Sequence, residues 1–323
     1  TTVGDMVIAT GATYTAGSYT TTVAGDFTTS GGLLGVSALN TDYAATRADA
    51  VDALRITGDR TIEFWLKYPS GSRPSAGNIK FLVSKDNHGY FVHLDENGKV
   101  KAGITSGGST SVTSTSAVDD NKWHHVAWVF TQATADTGNR IYIDGKLEAQ
   151  SSSNNGNTGE AVEFTVGSGV SGSCMDEIRL WNDVRTQDEI RANMFTEITS
   201  SGDDIIAVYN ANEGSGTTVA DAIGSLDLTT NSSGWVGAGT FDGSDASGLL
   251  KMTGSNKNIN YTGDETIGHL HIDAGQTTLN NISVSDGTDT FTCSSIVIDS
   301  GATFTTTSGT TTITDETSGG YGL

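Results

Sequence analysis

The chain has 323 residues, 35% of them hydrophobic, so it can bury a sizeable core in one large or two modest domains. Acidic residues outnumber basic ones by 38 to 17, and the net charge of −21 argues against nucleic acid as a partner, because phosphate binding needs a basic face. Two cysteines, Cys174 and Cys293, are too few for a disulfide framework, and the sequence has no apolar run long enough to insert into a membrane. Because it begins at Thr1 and shows no signal peptide, we expect a processed protein or part of a longer one.

The two ends of the chain are rich in glycine and threonine and carry related short patterns. Residues 7–15 align with residues 297–305, and residues 270–279 form a third partial copy. A recurring apolar strand, small residue, glycine and Thr-rich strand is typical of stacked β-coils, in which neighbouring coils cover each apolar face. The alternative is a chance match in a chain of this composition. We predict β-solenoid-like segments at residues 1–37 and 231–323.

The region between them, residues 38–230, shows the pattern of antiparallel strands. Residues 61–67 and 123–130 alternate apolar and polar side chains, as half-buried strands do. Asn97-Gly98 and Asp144-Gly145 predict two-residue hairpin turns between such strands. The composition agrees, because threonine favours strands, while glycine, serine and asparagine favour turns. We therefore predict a separate all-β domain here.

Several segments of this domain carry motifs that occur together in a known family. They are a Trp-bearing strand at residues 61–67, Trp-His-His-Val-Ala at residues 123–127, Ile-Tyr-Ile-Asp-Gly-Lys at residues 141–146, Met-Asp-Glu-Ile-Arg-Leu-Trp at residues 175–181, and a helix begun by a capping box of Thr186 and Glu189. In this order they resemble the laminin-G-like domains of the concanavalin A-like lectin/glucanase superfamily. The resemblance covers about residues 38–230 and implies an antiparallel jelly-roll β-sandwich of two sheets.

The resemblance also implies a calcium site at the rim of the sandwich, because Ca²⁺ takes carboxylate and carbonyl oxygens from loops. Asp176 and Asp221 are the expected ligands, with help from the carbonyl of Gly224 and with Asp42 as a further ligand. The segment after Asp221 is shorter than the Asp-Ser-Ser-Gly-Asn loop of the family. The alternative role for Asp176 is structural, as an acceptor for nearby backbone N–H groups.

Aromatic side chains are the usual platforms for sugars, and Tyr90, Trp181 and Tyr209 are the candidates here, with core packing as the alternative. The sequence lacks the Glu-x-Asp-x-(x)-Glu strand of the glucanase relatives. Asp176 and Glu177 are adjacent, so on a regular strand they would face opposite sides, unlike the convergent carboxylates of glycosidases. We therefore predict that the protein is not an enzyme.

Together these features predict a surface module that binds glycans or a surface protein through calcium-ordered loops, with weak sites multiplied by copy number. The flanks resemble the Gly/Thr-rich coils of phage tail fibres, virion fibres and large bacterial surface proteins. We therefore expect an extracellular, cell-surface or virion location and a homo-oligomer or a larger fibre. One alternative is a structural assembly protein whose end coils stack through open β edges, with no ligand of its own. Another is a glycan-cleaving tailspike, for which the carboxylate pair is missing.

Overall fold

The computed structural model describes residues 37–42, 44–47, 53–77, 79–85, 89–105, 110–132, 136–153, 163–167, 172–194, 196–202, 204–230 and 234–237, together with the backbone of strands nearer the two termini. The chain divides into two compact units. The sandwich unit is Ser37–Val236, and the end unit combines Thr1–Val36 with Gly237–Leu323. Within these described parts, no helix is long and apolar enough to cross a membrane.

The described elements are, in chain order, β1 (Thr2–Val3), β2 (Met6–Ile8), β3 (Tyr14–Thr15), β4 (Thr22–Val23), β5 (Phe27–Thr29), β6 (Ser37–Asn40), β7 (Ala45–Arg47), β8 (Arg60–Lys67), β9 (Lys80–Lys85), β10 (Tyr90–Leu94), β11 (Lys99–Ile104), β12 (Thr110–Ala117), β13 (Trp123–Phe130), β14 (Asn139–Ile143), β15 (Lys146–Ser151), β16 (Phe164–Val166), β17 (Cys174–Trp181), α1 (Gln187–Asn193), β18 (Ile205–Tyr209), β19 (Thr218–Val219), β20 (Leu228–Thr230), β21 (Trp235–Gly237), β22 (Leu249–Met252), β23 (Lys257–Asn260), β24 (Glu265–Ile272), β25 (Asn281–Ser285), β26 (Thr290–Ile298), β27 (Thr303–Thr306) and β28 (Thr310–Ile313).

In the end unit, strands from both ends of the chain pair in parallel. One sheet joins β2, β5, β24, β22 and β3, with β26 beside β24 and β28 beside β26, and a second sheet joins β23, β25 and β27. Successive strands from β22 to β28 thus alternate between two parallel sheets. β24 and β26 place His271 opposite Val297 and Ile272 opposite Ile298. Gly275 and Gly301 of the predicted repeat lie outside the described residues.

The sandwich unit consists of two eight-stranded sheets, and its all-β antiparallel prediction is confirmed. Sheet I has the strand order β12-β11-β10-β9-β16-β7-β20-β19. Sheet II has the order β15-β14-β13-β8-β17-β6-β21, with β18 also paired to β17. One hydrophobic core fills the space between them and includes Trp128, Phe64, Tyr90 and Phe164.

The alternation predicted for β13 is confirmed, but both faces of the strand are buried. Trp128 and its same-face neighbours lie in the core between the sheets. Ala127 and Val129 form a second cluster with Ile190 of α1, which covers the outer face of sheet II. The helix begins as predicted, because Thr186 is its N-cap and forms a capping box with Glu189. The central strands β8, β13 and β17 of sheet II are therefore buried on both faces, while its edge strand β15 stays partly exposed.

The two predicted hairpin turns differ in length. Asp144 and Gly145 have φ values of 50° and 69°, which is the two-residue turn that the right-handed twist of strands favours. The Asn97-Gly98 hairpin is one residue longer than predicted, because the N–H of Asp95 bonds to the carbonyl of Lys99 at 2.9 Å. Gly98 takes the left-handed position of this loop, with a φ of 73°.

Candidate functional site

The structure makes Asp221 the centre of a tight turn. Its Oδ1 accepts the N–H groups of Val208 at 3.2 Å and Ile223 at 3.3 Å, and its Oδ2 accepts the N–H of Leu226 at 3.1 Å. A Cβ at Gly224 would lie 2.5 Å from Oδ2, so the turn closes around this carboxylate only with glycine there. Three backbone donors occupy most of the accepting capacity of Asp221. The arrangement is that of a structural acid.

The predicted calcium ligands lie in separate environments. Oδ1 of Asp42 accepts the N–H of Gly172 at 2.7 Å in a different loop. Among the residues that the structure describes, no group of three or more His, Cys, Asp or Glu side chains could hold a metal ion. Asp42, Asp176 and Asp221 therefore do not form one site, and calcium binding stays a prediction.

A β-bulge in β17 places Asp176 and Glu177 on the same face of sheet II. Asp176 lies opposite Trp65 of β8, and after the register shift Arg179 lies opposite Glu63. Directly opposite residues of antiparallel strands share a face. Glu177 has a φ of 50°, and its Oε2 accepts a hydrogen bond from Nη2 of Arg179 at 2.8 Å. The expectation that the two adjacent carboxylates face opposite sides is therefore wrong.

Glu63, Asp176 and Glu177 form an acidic cluster: Glu63 and Glu177 pair with the guanidinium of Arg179, and Oδ1 of Asp176 accepts the N–H of Glu177 at 2.8 Å. All four side chains belong to residues with at most 1% of their surface exposed. Nη1 of Arg179 lies 3.5 Å from Oε1 of Glu63, and Nε1 of Trp181 donates to the same oxygen at 3.0 Å. Burial raises the pKa of Glu63, raises that of Asp176 well above its usual range with help from the Glu177 charge, and raises that of Glu177 to about 7.

The acidic cluster is closed off from solvent by the end of α1. Arg179 donates to the carbonyls of Asn193 and Thr196, and Nε1 of Trp65 donates to the carbonyl of Met194 at 2.7 Å. Each of these carbonyls belongs to the last helical turn or to the residues just after it, where helices leave acceptors without partners. The cluster therefore fastens the helix to the sheet and offers no room for a glycan.

Two of the three predicted aromatic platforms are core residues. Tyr90 is 1% exposed and donates from its hydroxyl to the carbonyl of Leu54 at 2.7 Å. Tyr209 is 0% exposed and donates to the carbonyl of Leu226 at 2.8 Å. Trp181 is nearly as buried, and the guanidinium of Arg185 covers its ring at 4.2 Å. None of the three presents a free ring face to a ligand.

An aromatic surface that the sequence did not indicate lies instead on the outer face of sheet I. The strand pairing places Phe81 opposite His93, His93 opposite Lys101, and Lys101 opposite Thr113. These four side chains form a continuous row across β9, β10, β11 and β12. Phe91 lies two residues before His93 on β10 and so on the same face.

The rings of this surface pack against each other, and because His93 is only 6% exposed, the half-buried Phe81 and Phe91 supply the accessible ring area. Phe91 and His93 are stacked, with centroids 5.3 Å apart and an interplanar angle of 28°. Phe81 meets both rings edge-on, at 6.3 Å from Phe91 and 5.9 Å from His93. Burial lowers the pKa of His93, and Lys101 lowers it further, so the ring is neutral at pH 7. Its Nδ1 lies 2.9 Å from the carbonyl of Leu94, which fixes the proton there and leaves Nε2 as an acceptor.

A cavity of about 230 Å³ opens beside these rings. It is lined by Gly77, Ile79, His93, Leu94, Asp95, Glu96, Lys101 and Thr113. Ile79 is 52% exposed, which is unusual for a large apolar side chain on this unit. We call the cavity together with Phe81 and Phe91 the aromatic groove. It combines ring faces with a cationic donor, two carboxylates and a hydroxyl, and its volume is near the lower limit of about 300 Å³ for small-molecule sites.

The sequence misses the aromatic groove because of a second bulge. On a regular strand Phe81 and Val83 share a face, and Val83 is a core residue, so Phe81 would be assigned to the core. The register between β9 and β10 shifts at Val92, and both Leu82 and Val83 pack into the core. Phe81 is thereby turned to the outer face. In the sequence, the two-residue spacing of Phe91 and His93 was the one available indication of an aromatic surface.

Comparison with known proteins identifies the sandwich. Residues 39–191 match the family model described as the concanavalin A-like lectin/glucanases superfamily. The resemblance found in the sequence is therefore confirmed for this domain, which contains strands β7 to β17. None of the curated proteins matches the chain.

Solved structures that match this chain do so at low identity. A candidate carbohydrate binding protein from Bacteroides ovatus is 15% identical with a TM-score of 0.47, over 63% of this chain and 60% of that one. The binding domain of Paraclostridial Mosquitocidal Protein 1 is 16% identical with a TM-score of 0.37, over 44% and 37%. A structure of botulinum neurotoxin type C, described by its interaction with two ganglioside molecules, is 13% identical with a TM-score of 0.37, over 48% and 40%. The chain thus spans less than two thirds of each, and none of them identifies a ligand for it.

Proposed function

We propose that the concanavalin A-like domain at residues 39–191 is a non-enzymatic glycan-binding module whose binding site is the aromatic groove. The observation that carries this proposal is the stacked pair of Phe91 and His93 beside a polar-lined cavity. The C–H face of a pyranose packs on aromatic rings, while its hydroxyls need donors and acceptors nearby. Nε2 of His93 supplies an acceptor, and Lys101 and Asp95 supply a charged donor and a charged acceptor.

Phe91→Ala should weaken glycan binding about tenfold or more, the ratio that about 1.4 kcal/mol of lost ring contact produces. A glycan array followed by titration calorimetry on the bound glycans measures this. Leu147→Ala is the matched control, because Leu147 is an exposed apolar side chain on β15 of sheet II, 37% accessible. An array with no bound glycan, or equal affinities for Phe91→Ala and the parent, would count against the proposal. Release of reducing ends from a bound glycan would favour a tailspike instead.

Calcium is proposed as a structural ion bound near Asp176. It is not proposed as one ion held jointly by Asp42, Asp176, Asp221 and Gly224. One feature supports the proposal: Oδ2 of Asp176 is buried without a hydrogen-bond partner among the described residues. Removal of calcium with EGTA is then expected to lower the Tm of the parent. The same Tm in EGTA and in excess Ca²⁺ would contradict the proposal.

For the end unit we propose a β-solenoid-like stalk in a fibre, a virion or a secreted surface protein. The alternation of β22 to β28 between two parallel sheets supports it, because a coil adds one strand to each sheet per turn. The same feature favours a second candidate function, assembly of a fibre by stacking of coils through open strand edges. Sedimentation of the full chain over a wide concentration range tests assembly, and a strict monomer throughout would eliminate it.

A further inference from the structure

A second row of side chains crosses the outer face of sheet I, next to the row that contains Phe81 and His93. Each member lies directly opposite the next on the neighbouring strand. Six of the eight residues carry a hydroxyl. In strand order from β19 to β12 the members are Thr218, Thr229, Thr46, Thr165, Ser84, Phe91, Gly103 and Ser111. We call this set the hydroxyl row.

The hydroxyl row faces away from the core. Its chain neighbours Val219, Leu228, Ala45, Phe164, Val83, Val92, Ala102 and Val112 are all buried core residues. Because side chains alternate along a strand, the residues between them point outward. Thr218, Thr229 and Ser111 are exposed, Thr46, Thr165 and Phe91 are half-buried, and Ser84 and Gly103 are buried.

Phe91 joins the hydroxyl row to the aromatic groove, because its ring also stacks on His93. The next position, Gly103, has no room for a side chain. A Cβ there would lie 2.1 Å from the carbonyl oxygen of Thr110 on β12. No side chain therefore stands beside the Phe91 ring on β11, and the other members of the row have small side chains.

We infer that the glycan bound by this face is an extended, neutral polysaccharide chain that lies across the strands along the hydroxyl row, with one sugar seated in the aromatic groove. This inference rests on the proposed glycan-binding function. Eight strands about 4.8 Å apart give a row on the order of 30 Å long, which suits a polymer rather than a terminal sugar. A repeating hydroxylated chain meets an exposed or half-buried hydroxyl or ring on six of the eight strands.

Charge selects a neutral chain over an anionic one. None of the eight residues in the row is charged, although the whole chain carries a net charge of −21. An anionic polysaccharide would approach a strongly negative protein and find no cation among the eight row residues, and in the aromatic groove Lys101 stands beside the carboxylates of Asp95 and Glu96. A neutral chain meets no such barrier and can exchange hydrogen bonds with water for hydrogen bonds with the row.

The test uses neutral β-linked gluco- and xylo-oligosaccharides of two to eight units, with polygalacturonate as the anionic probe, titrated into the full chain. Affinity is expected to rise at least tenfold from two units to about six units, which span the row.

Thr229→Glu changes an exposed residue of β20, far from Phe91 along the row. It should lower the affinity for the longest oligosaccharides at least fivefold and leave the two-unit affinity unchanged.

Thr199→Glu is the matched control, because Thr199 is exposed in the segment after α1 and not on sheet I. Thr46→Ala is a second row variant that adds neither bulk nor charge, and a twofold or larger loss for long oligosaccharides is expected. Equal affinities for short and long oligosaccharides, no effect of Thr229→Glu on long ones, or tighter binding of polygalacturonate would overturn this inference while leaving the aromatic groove as a site. No binding of any saccharide would overturn the proposed function as well.

Discussion

Arg179→Leu is expected to lower the free energy of unfolding of the sandwich unit by about 3–5 kcal/mol, the cost of removing one partner from a buried ion pair. The guanidinium is the cation of the acidic cluster, and Arg179 is 1% exposed. Its loss leaves Glu63 and Glu177 without their cation and frees the carbonyls of Asn193 and Thr196. Urea unfolding followed by tryptophan fluorescence measures the change.

Two control variants separate the causes of this loss. Arg179→Lys keeps the charge but not the planar fork, so it should recover only part of the stability. Lys122→Leu removes a cation from a surface pair 3.9 Å from Asp120 and should cost less than about 1 kcal/mol. If Arg179→Leu were as stable as Lys122→Leu, the acidic cluster would not be what holds α1 on sheet II.

The parts of the fold that follow from local rules could be predicted from the sequence. The Asp144-Gly145 turn, the capping box of Thr186 and Glu189, and the alternation of β13 all depend on neighbours within a few residues. The superfamily could be identified for the same reason, since its motifs are short strands and turns in a fixed order. These features need no knowledge of which strands become neighbours.

The candidate site could not be predicted because two bulges break the two-residue period of the strands. In β17 the bulge brings Asp176 and Glu177 to one face, and in β9 it turns Phe81 outward. A bulge is selected by packing against a partner strand, and the non-glycine residue with positive φ in β17, Glu177, gives no sequence signal for it. Alternation alone therefore assigns Phe81 to the wrong face.

Burial of the outer face of β17 explains why Trp181 is not a surface platform, whereas Tyr90 and Tyr209 lie in the core between the two sheets. A strand with one exposed face would have left Trp181 accessible, but α1 and the residues after it cover the outer face of β17. Tyr90 and Tyr209 satisfy their hydroxyls with backbone carbonyls inside the core, so a polar tip does not mark a surface position. The hydroxyl row was equally hidden, because its members are spread over eight strands from Thr46 to Thr229 and only the register aligns them.

The acidic cluster should also make the stability of the sandwich unit depend on pH. Burial raises the pKa of Glu177 from its ordinary value of 4.5 to about 7, so the folded state holds this proton more tightly than the unfolded state. The stabilisation is complete below about pH 4.5 and is lost as the pH rises through about 7. The raised pKa values of Glu63 and Asp176 act in the same direction.

The two adjacent histidines act in opposite directions. Burial lowers the pKa of His124, but the carboxylates of Asp144 and Asp120 outweigh it and raise the pKa well above the usual range. His124 therefore adds stability that is lost at high pH. Burial and the Arg179 charge lower the pKa of His125 well below that range, so its contribution is present above about pH 6.5 and lost as the pH falls.

Glu177→Gln isolates the contribution of the cluster from these other groups. Between pH 5 and pH 8 the variant should lose less stability than the parent, by on the order of 2 kcal/mol, because one proton is no longer released. Urea unfolding at a series of pH values measures how steeply the stability of each protein changes with pH.

Glu148→Gln is the matched control: the hydroxyl of Thr115 and the N–H of Ser116 outweigh burial and lower the pKa of Glu148. Glu148 is therefore ionised throughout this range and should leave the slope unchanged. Equal slopes for Glu177→Gln and the parent would mean that Glu177 is already ionised in the folded chain, which requires a further cation beside Arg179.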